Sequence, residues 1–145
     1  MRSWIRKSIK SERGQAMVEF AMTLPILVAI VGMIISGGQF IYVKQALQQA
    51  AYEGARVGVT MPDASQARTA ANKAIHDFLA HHPFVKVDQV VVTAKPTSGW
   101  SKGKPFEVTV SYDMKSLFPI PGTSLGVGKT KTVKGNVQLA IERGS

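Results

Sequence analysis

The sequence predicts an α+β protein in which a long N-terminal transmembrane helix extends into a small exported domain, built from a second helix and a three-stranded antiparallel sheet. Three observations carry that expectation. Phe20 to Val43 is a run of 24 residues without a charge, and a helix crosses a bilayer with about 20 residues at ~1.5 Å each. The residues that follow, Lys44 to Gly58, keep helix-forming composition and contain no proline. Beyond Pro83 the apolar spacing turns from helical to alternating, the period of strands with one buried face.

The apolar run is not part of a general greasiness. Of 145 residues, 45% are hydrophobic and 19% charged, and the excess is concentrated in that one stretch. A remainder of roughly 100 residues has little room to bury such a helix inside a soluble core. The net charge is +9. Arg2, Arg6, Lys7, Lys10 and Arg13 precede the run against Glu12 alone. Basic residues flanking a span stay on the cytoplasmic side, so the N-terminus is expected inside and everything after Lys44 outside. Lys44 and Arg56 on the far flank weaken that asymmetry without reversing it. There is no cysteine, which removes disulfides, thiolate catalysis and cysteine metal sites, and leaves the exported part to hold together by packing.

The elements follow in order. Residues 1–14 read as a basic leader, 15–43 as the transmembrane helix and 44–145 as the exported α+β domain. The first helix is expected from about Ala16 to about Val59, with Pro25 as a bend. Met61-Pro62-Asp63 breaks it, and Asp63 or Ser65 can cap the next helix. That second helix runs from Ala64 to Ala80, with Ala67, Ala70, Ala71, Ala74, Ile75, Phe78 and Leu79 as its apolar face, and His81-His82-Pro83 ends it. A first strand is expected over Lys86 to Ala94, in a stretch holding Val85, Val87 and Val91. A second places Phe106, Val108, Val110 and Tyr112 on one face, with Glu107, Thr109 and Ser111 on the other. A third lies near Thr130 to Glu142 with Val133, Val137, Leu139 and Ile141. Lys95-Pro96-Thr97-Ser98-Gly99 and Pro119-Ile120-Pro121-Gly122 supply turns.

The start of the apolar run is unlike a secretory signal, whose hydrophobic stretch is 7–15 residues and is followed by a small-residue cleavage site. Here the residues ahead of the run are Arg13-Gly14-Gln15-Ala16-Met17-Val18-Glu19-Phe20. Glu19 sits at the lip of the membrane helix, and an acid within such a helix costs up to ~3 kcal/mol at the bilayer centre and less near the edge. Two readings account for it. A cut after Gly14 would give Gln15 an α-amino group four residues from Glu19, on the same helix face, so the carboxylate could pair with its own amine or a neighbour's. Alternatively, Glu19 simply rests among headgroups.

Small residues recur along the helix. Ala46, Ala50, Gly54 and Gly58 stand four apart, which suits close helix packing or the face resting on the chain's own domain. Gly32, Ser36 and Gly37, within the apolar run, are the candidates for contacts between subunits.

Gly14 followed by Glu19 resembles a type IV prepilin leader. Arg13 to Ala21, Leu24-Pro25-Ile26-Leu27, Tyr42-Val43 and Ala51-Tyr52-Glu53-Gly54-Ala55-Arg56 together resemble the TadE-like family, minor pilins or pseudopilins of the tight-adherence (Tad/Flp) pilus. The likeness continues weakly in Gly103 to Tyr112 and in Gln138 to Glu142, and departs at Met114-Lys115-Ser116-Leu117-Phe118-Pro119, where family members are more uniformly apolar. The resemblance implies a pilin-like fold, cleavage between Gly14 and Gln15 by a prepilin peptidase, and assembly at the bacterial inner membrane with other pilin-like subunits and the pilus assembly machinery. It implies a single pass with a cytoplasmic N-terminus and a periplasmic domain, with entry into the extracellular pilus left open. The competing reading is an uncleaved, membrane-anchored binding module of an envelope or secretion complex.

Nothing in the sequence forms a catalytic set, and no cofactor is expected. His76, His81 and His82 cluster at a helix end, where a protonated imidazole suits the dipole, and no metal site is expected of them. Lys95, Lys102 and Lys104 around Trp100, extended by Lys129, Lys131 and Lys134, have the make-up of a surface for single-stranded nucleic acid. A solvated loop whose charges keep a small domain soluble is the favoured account of them, and nucleic acid is not expected as a partner.

Overall fold

The computed structural model describes residues 2–115 and 130–143, with side chains from Gly14 onward. The turn expected at 119–122, the 116–119 part of the divergent loop and Lys129 lie outside the described residues.

Helix α1 is continuous from Arg2–Gly58, 57 residues or on the order of 85 Å. It starts well before Ala16, because nothing between Arg2 and Gly14 breaks a helix and a lone internal glycine costs only ~1 kcal/mol relative to alanine. Pro25 lies inside it without ending it. Gly14–Gly58 is the one helix among the described residues long and apolar enough to cross a membrane, and only 6% of its most apolar window is buried within the protein. Met17, Phe20, Met22, Ile26, Leu27, Ile34 and Ile35 each expose more than half their surface. A contiguous apolar surface of that size is a contact surface, not a water-facing one, so the helix fits a single-pass membrane anchor.

Helix α2, Ala64–Leu79, buries Ala67, Ala71, Ile75 and Leu79, one residue per turn. Asp63 caps it, its carboxylate accepting from the Ser65 and Gln66 amides at 2.8 Å each. Asp63→Ala is expected to cost ~1 kcal/mol. For a domain of this size that is a fall of roughly 4–8 °C in Tm, measurable by thermal unfolding in detergent.

The sheet has order β1-β2-β3 and is antiparallel throughout, with β1 at Val90–Pro96, β2 at Pro105–Lys115 and β3 at Thr130–Ala140. Phe106, Val108, Val110, Tyr112 and Met114 of β2 are buried beneath the helices, as their alternation requires. The first strand differs from expectation. Val87–Gln89 form a 3-10 turn and the strand begins only at Val90. Val90, Val92 and Ala94 face inward, while Val91 is 64% exposed. The turn consumes residues that a β-branched, valine-rich stretch assigns to the strand, so the strand begins four residues later than expected.

Helix α1 lies across β2 and β3, and α2 lies against α1 and β1. The crossing with β3 is at Gly135, paired with Val110, where an added Cβ would stand 2.5 Å from the Leu47 carbonyl carbon and oxygen. Next to it, Gln48 reaches around the edge strand. Its side-chain amide donates to the Asn136 carbonyl at 2.8 Å and accepts from the Asn136 amide at 3.3 Å, so it completes backbone groups that an edge strand leaves open. The end of β3 returns to α1: the Glu142 and Arg143 amides both donate to the Val59 carbonyl, at 3.0 and 3.3 Å, closing the helix C-terminus.

Candidate assembly site on the N-terminal helix

The segment proposed for processing is helical and exposed. Gly14 has open space where a side chain would be. The Gln15 side-chain amide donates to Glu19 Oε1 at 3.2 Å, so these two residues share one face across a single turn. Thr23 extends the same face, its hydroxyl donating to the Glu19 carbonyl at 2.8 Å. The Glu19 carboxylate therefore points along the helix surface at the residue that would carry the new amine, and it is accessible from outside.

The small residues separate into two groups. Ala46 and Ala50 are buried. At Gly54 an added Cβ would stand 2.6 Å from Ile75 of α2, and at Gly58 it would run into the Phe106 ring of β2. The close approach these four permit is made within the chain, by α2 and the sheet. Gly32 and Ser36 are also buried within the single chain. Gly37 is half-buried with nothing beside its Cα, as is the case beside Gly38. Ile30, Met33, Ile34 and Ile41 flank these two glycines and form with them a shallow groove of about 400 Å³. That groove is an open notch on the apolar helix.

The lysine-and-tryptophan loop is organised differently from a stacking platform for bases. The Trp100 indole donates to the Pro62 carbonyl at 2.9 Å and meets Phe106 edge-on, ring centres 5.5 Å apart. It thus closes the far end of the core. Lys95 stands opposite Glu107. Lys131 is at the other end of β3 and Lys134 near its middle, so neither extends this loop. The histidines cap α2. His81 and His82 each place Nδ1 near a carbonyl one turn earlier, those of Asp77 and Phe78, at 3.0 and 3.1 Å.

Two features of the assembly were missed in the sequence. Gly135 was legible in principle, since a glycine inside an alternating strand marks a close backbone approach. The meeting of Lys86, Lys115 and Lys131 at one end of the sheet had no contiguous signal.

A continuous helix that is apolar and largely uncovered from Gly14 to Tyr42, and forms the spine of a two-layer α+β domain beyond it, fits the class of single-pass, helix-anchored proteins. Residues 14–56 match the model of the TadE family, described as TadE-like protein. The match begins at Gly14 and ends within the packed half of α1, so the likeness read from the N-terminal residues holds over that segment. No curated protein and no solved structure shows a significant match.

Proposed function

We propose that this protein is a minor pilin or pseudopilin of a Tad/Flp-type pilus. In this reading it is held in the bacterial inner membrane by α1, with residues 1–14 cytoplasmic and the α+β domain periplasmic. A prepilin peptidase cuts after Gly14, and the mature chain then assembles with other pilin-like subunits and the pilus machinery. Its role is structural, and it carries no catalytic activity of its own.

The observation that carries the reading is the pairing of Gln15 with Glu19 on an apolar helix in the TadE-matching segment. Removal of the leader would exchange five basic residues for one α-amine on Gln15, on the face that Glu19 already occupies. An acid otherwise disfavoured at the edge of the bilayer then gains a cation of its own or a neighbour's. That exchange also takes away the charges that hold the N-terminus in the cytoplasm, as release from the membrane into a filament requires.

The test is the N-terminus of the protein extracted from membranes. Mass spectrometry is expected to find a chain starting at Gln15, and a bulky residue in place of Gly14 (Gly14→Leu) is expected to leave the leader attached. An intact leader on the wild-type protein would sink the pilin reading in favour of an uncleaved binding module.

A further inference from the structure

The register of the sheet brings cations from three separate stretches to one end. Lys115 closes β2, Lys131 lies one step inside the start of β3 opposite Met114, and Lys86 precedes the turn into β1, which itself begins opposite Tyr112. Lys44 follows the apolar run on α1. Lys44, Lys86 and Lys115 are exposed, and the acids at this end among the described residues are Asp88 and Asp113. Asp113 accepts a hydrogen bond from Thr132 at 2.6 Å. A cleft of about 340 Å³ opens among Gln39, Lys86, Gln89, Asp113 and Lys115.

Aromatic rings stand at the same level. Phe84 is 52% exposed and meets Tyr42 edge-on, ring centres 5.4 Å apart. The Lys131 ammonium lies 5.4 Å from the centre of the Phe40 ring. The helix fixes where this end must sit. From Phe20, next to Glu19, to Phe40 is ~30 Å along the axis, the thickness of the hydrocarbon core. A span that starts at Glu19 therefore ends at Phe40, and Tyr42, Phe84 and the lysines fall in the headgroup layer. Tyrosine and phenylalanine beside lysine is the composition of an interfacial anchor, and lysines at that depth are drawn to an anionic surface.

We propose that this end of the sheet is a headgroup-binding surface: Lys86, Lys115 and Lys131, with Tyr42 and Phe84, hold the exported domain down on anionic phospholipid. The surface sets the tilt of the domain against the bilayer and must be released before the chain can leave the membrane. It rests on α1 being a membrane anchor but not on cleavage at Gly14.

The chain has no cysteine, so single substitutions can carry a fluorophore. Full-length protein labelled at Gln89→Cys, on the rim of the cleft, is placed in nanodiscs containing a lipid with a nitroxide quencher on its headgroup. Discs with one-third phosphatidylglycerol are expected to quench the label at least twofold more than discs of phosphatidylcholine alone. A label at Ser98→Cys, in the turn at the opposite end of the sheet, stays unquenched in both. The double change Lys86→Glu with Lys115→Glu, and high salt, which shortens screening from ~10 Å at 0.1 M, each bring the Gln89→Cys signal down to the neutral-lipid level. Equal quenching in both lipids, or quenching that survives charge reversal, overturns the proposal. A label shielded only at high protein-to-disc ratio overturns it in favour of a protein partner. A chain that does not co-elute with the discs overturns the anchor itself, whereas co-elution without quenching overturns the surface alone.

Discussion

Gly135→Val is expected to unfold the exported domain while leaving the membrane helix inserted. Gly135 is where α1 crosses β3, and a Cβ there would lie 2.5 Å from the Leu47 carbonyl and 2.7 Å from the Gln48 amide nitrogen. Those are backbone atoms in the middle of a helix, so neither can turn aside as a flexible side chain would. The strand has to lift off α1, which also pulls Asn136 away from Gln48 and opens Leu47, Val108 and Val110, all fully buried. Overpacking ordinarily costs ~1–3 kcal/mol, and a clash with fixed backbone belongs at or above the top of that range. Against the 5–15 kcal/mol typical of a domain, Tm is expected to drop by more than ~10 °C, with rapid proteolysis of the exported part in membrane preparations. Gly37→Val supplies the contrast. Its Cβ would meet nothing, so the domain should melt as the wild type does. Equal melting of Gly135→Val and wild type would refute the crossing geometry.

Glu19→Val is expected to abolish assembly without harming insertion. Removing an acid from the edge of an apolar helix favours insertion, by up to ~3 kcal/mol at the bilayer centre and less at the edge, so membrane levels should be equal or higher. The domain begins more than 20 residues further along α1 and is untouched. What is lost is the carboxylate that faces residue 15. In the proposed assembly that group meets the amine of Gln15, on the same chain or an adjacent one, and sets the axial register between packed helices. Pilus output is expected to fall at least tenfold, with the mature subunit still in the membrane fraction. Glu19→Gln keeps the hydrogen bond but not the charge and is expected to behave like Glu19→Val if charge pairing is the cause. Normal piliation of Glu19→Val would remove Glu19 from assembly.

Legibility followed the strength of the local signal. The α1 anchor was readable because a charge-free run from Phe20 to Val43 has few uses other than a bilayer span. The face of β2 was readable because Phe106, Val108, Val110 and Tyr112 alternate without interruption. The cap of α2 was readable as one of two residues, and the bonds of Asp63 decide between them. The first strand was misplaced because a 3-10 turn at Val87–Gln89 interrupts a valine-rich stretch that otherwise looks uniform. The helix start was placed late because helix continuity through the leader depends on the absence of a breaker, not on any positive sign.

For the small-residue stripe, the sequence left two partners open. Packing assigns Ala46, Ala50, Gly54 and Gly58 to the interior, where Ile75 meets Gly54 and Phe106 meets Gly58 from well beyond the helix in sequence. The lysine end of the sheet is of the same kind. Positions 86, 115 and 131 have no relation along the chain: the β2–β3 register brings 115 and 131 to one end of the sheet, and packing puts Lys86 on the same cleft as Lys115.

The sequence by itself determined the long apolar helix, the acid five residues after Gly14 and the buried face of β2, since each is a matter of composition or period within a few turns of chain. Tertiary structure alone decided which glycines face the protein's own atoms, where α1 crosses the sheet, and which lysines come to one end of it. Those depend on distances between residues remote in sequence, and such distances are set by packing rather than by any local pattern.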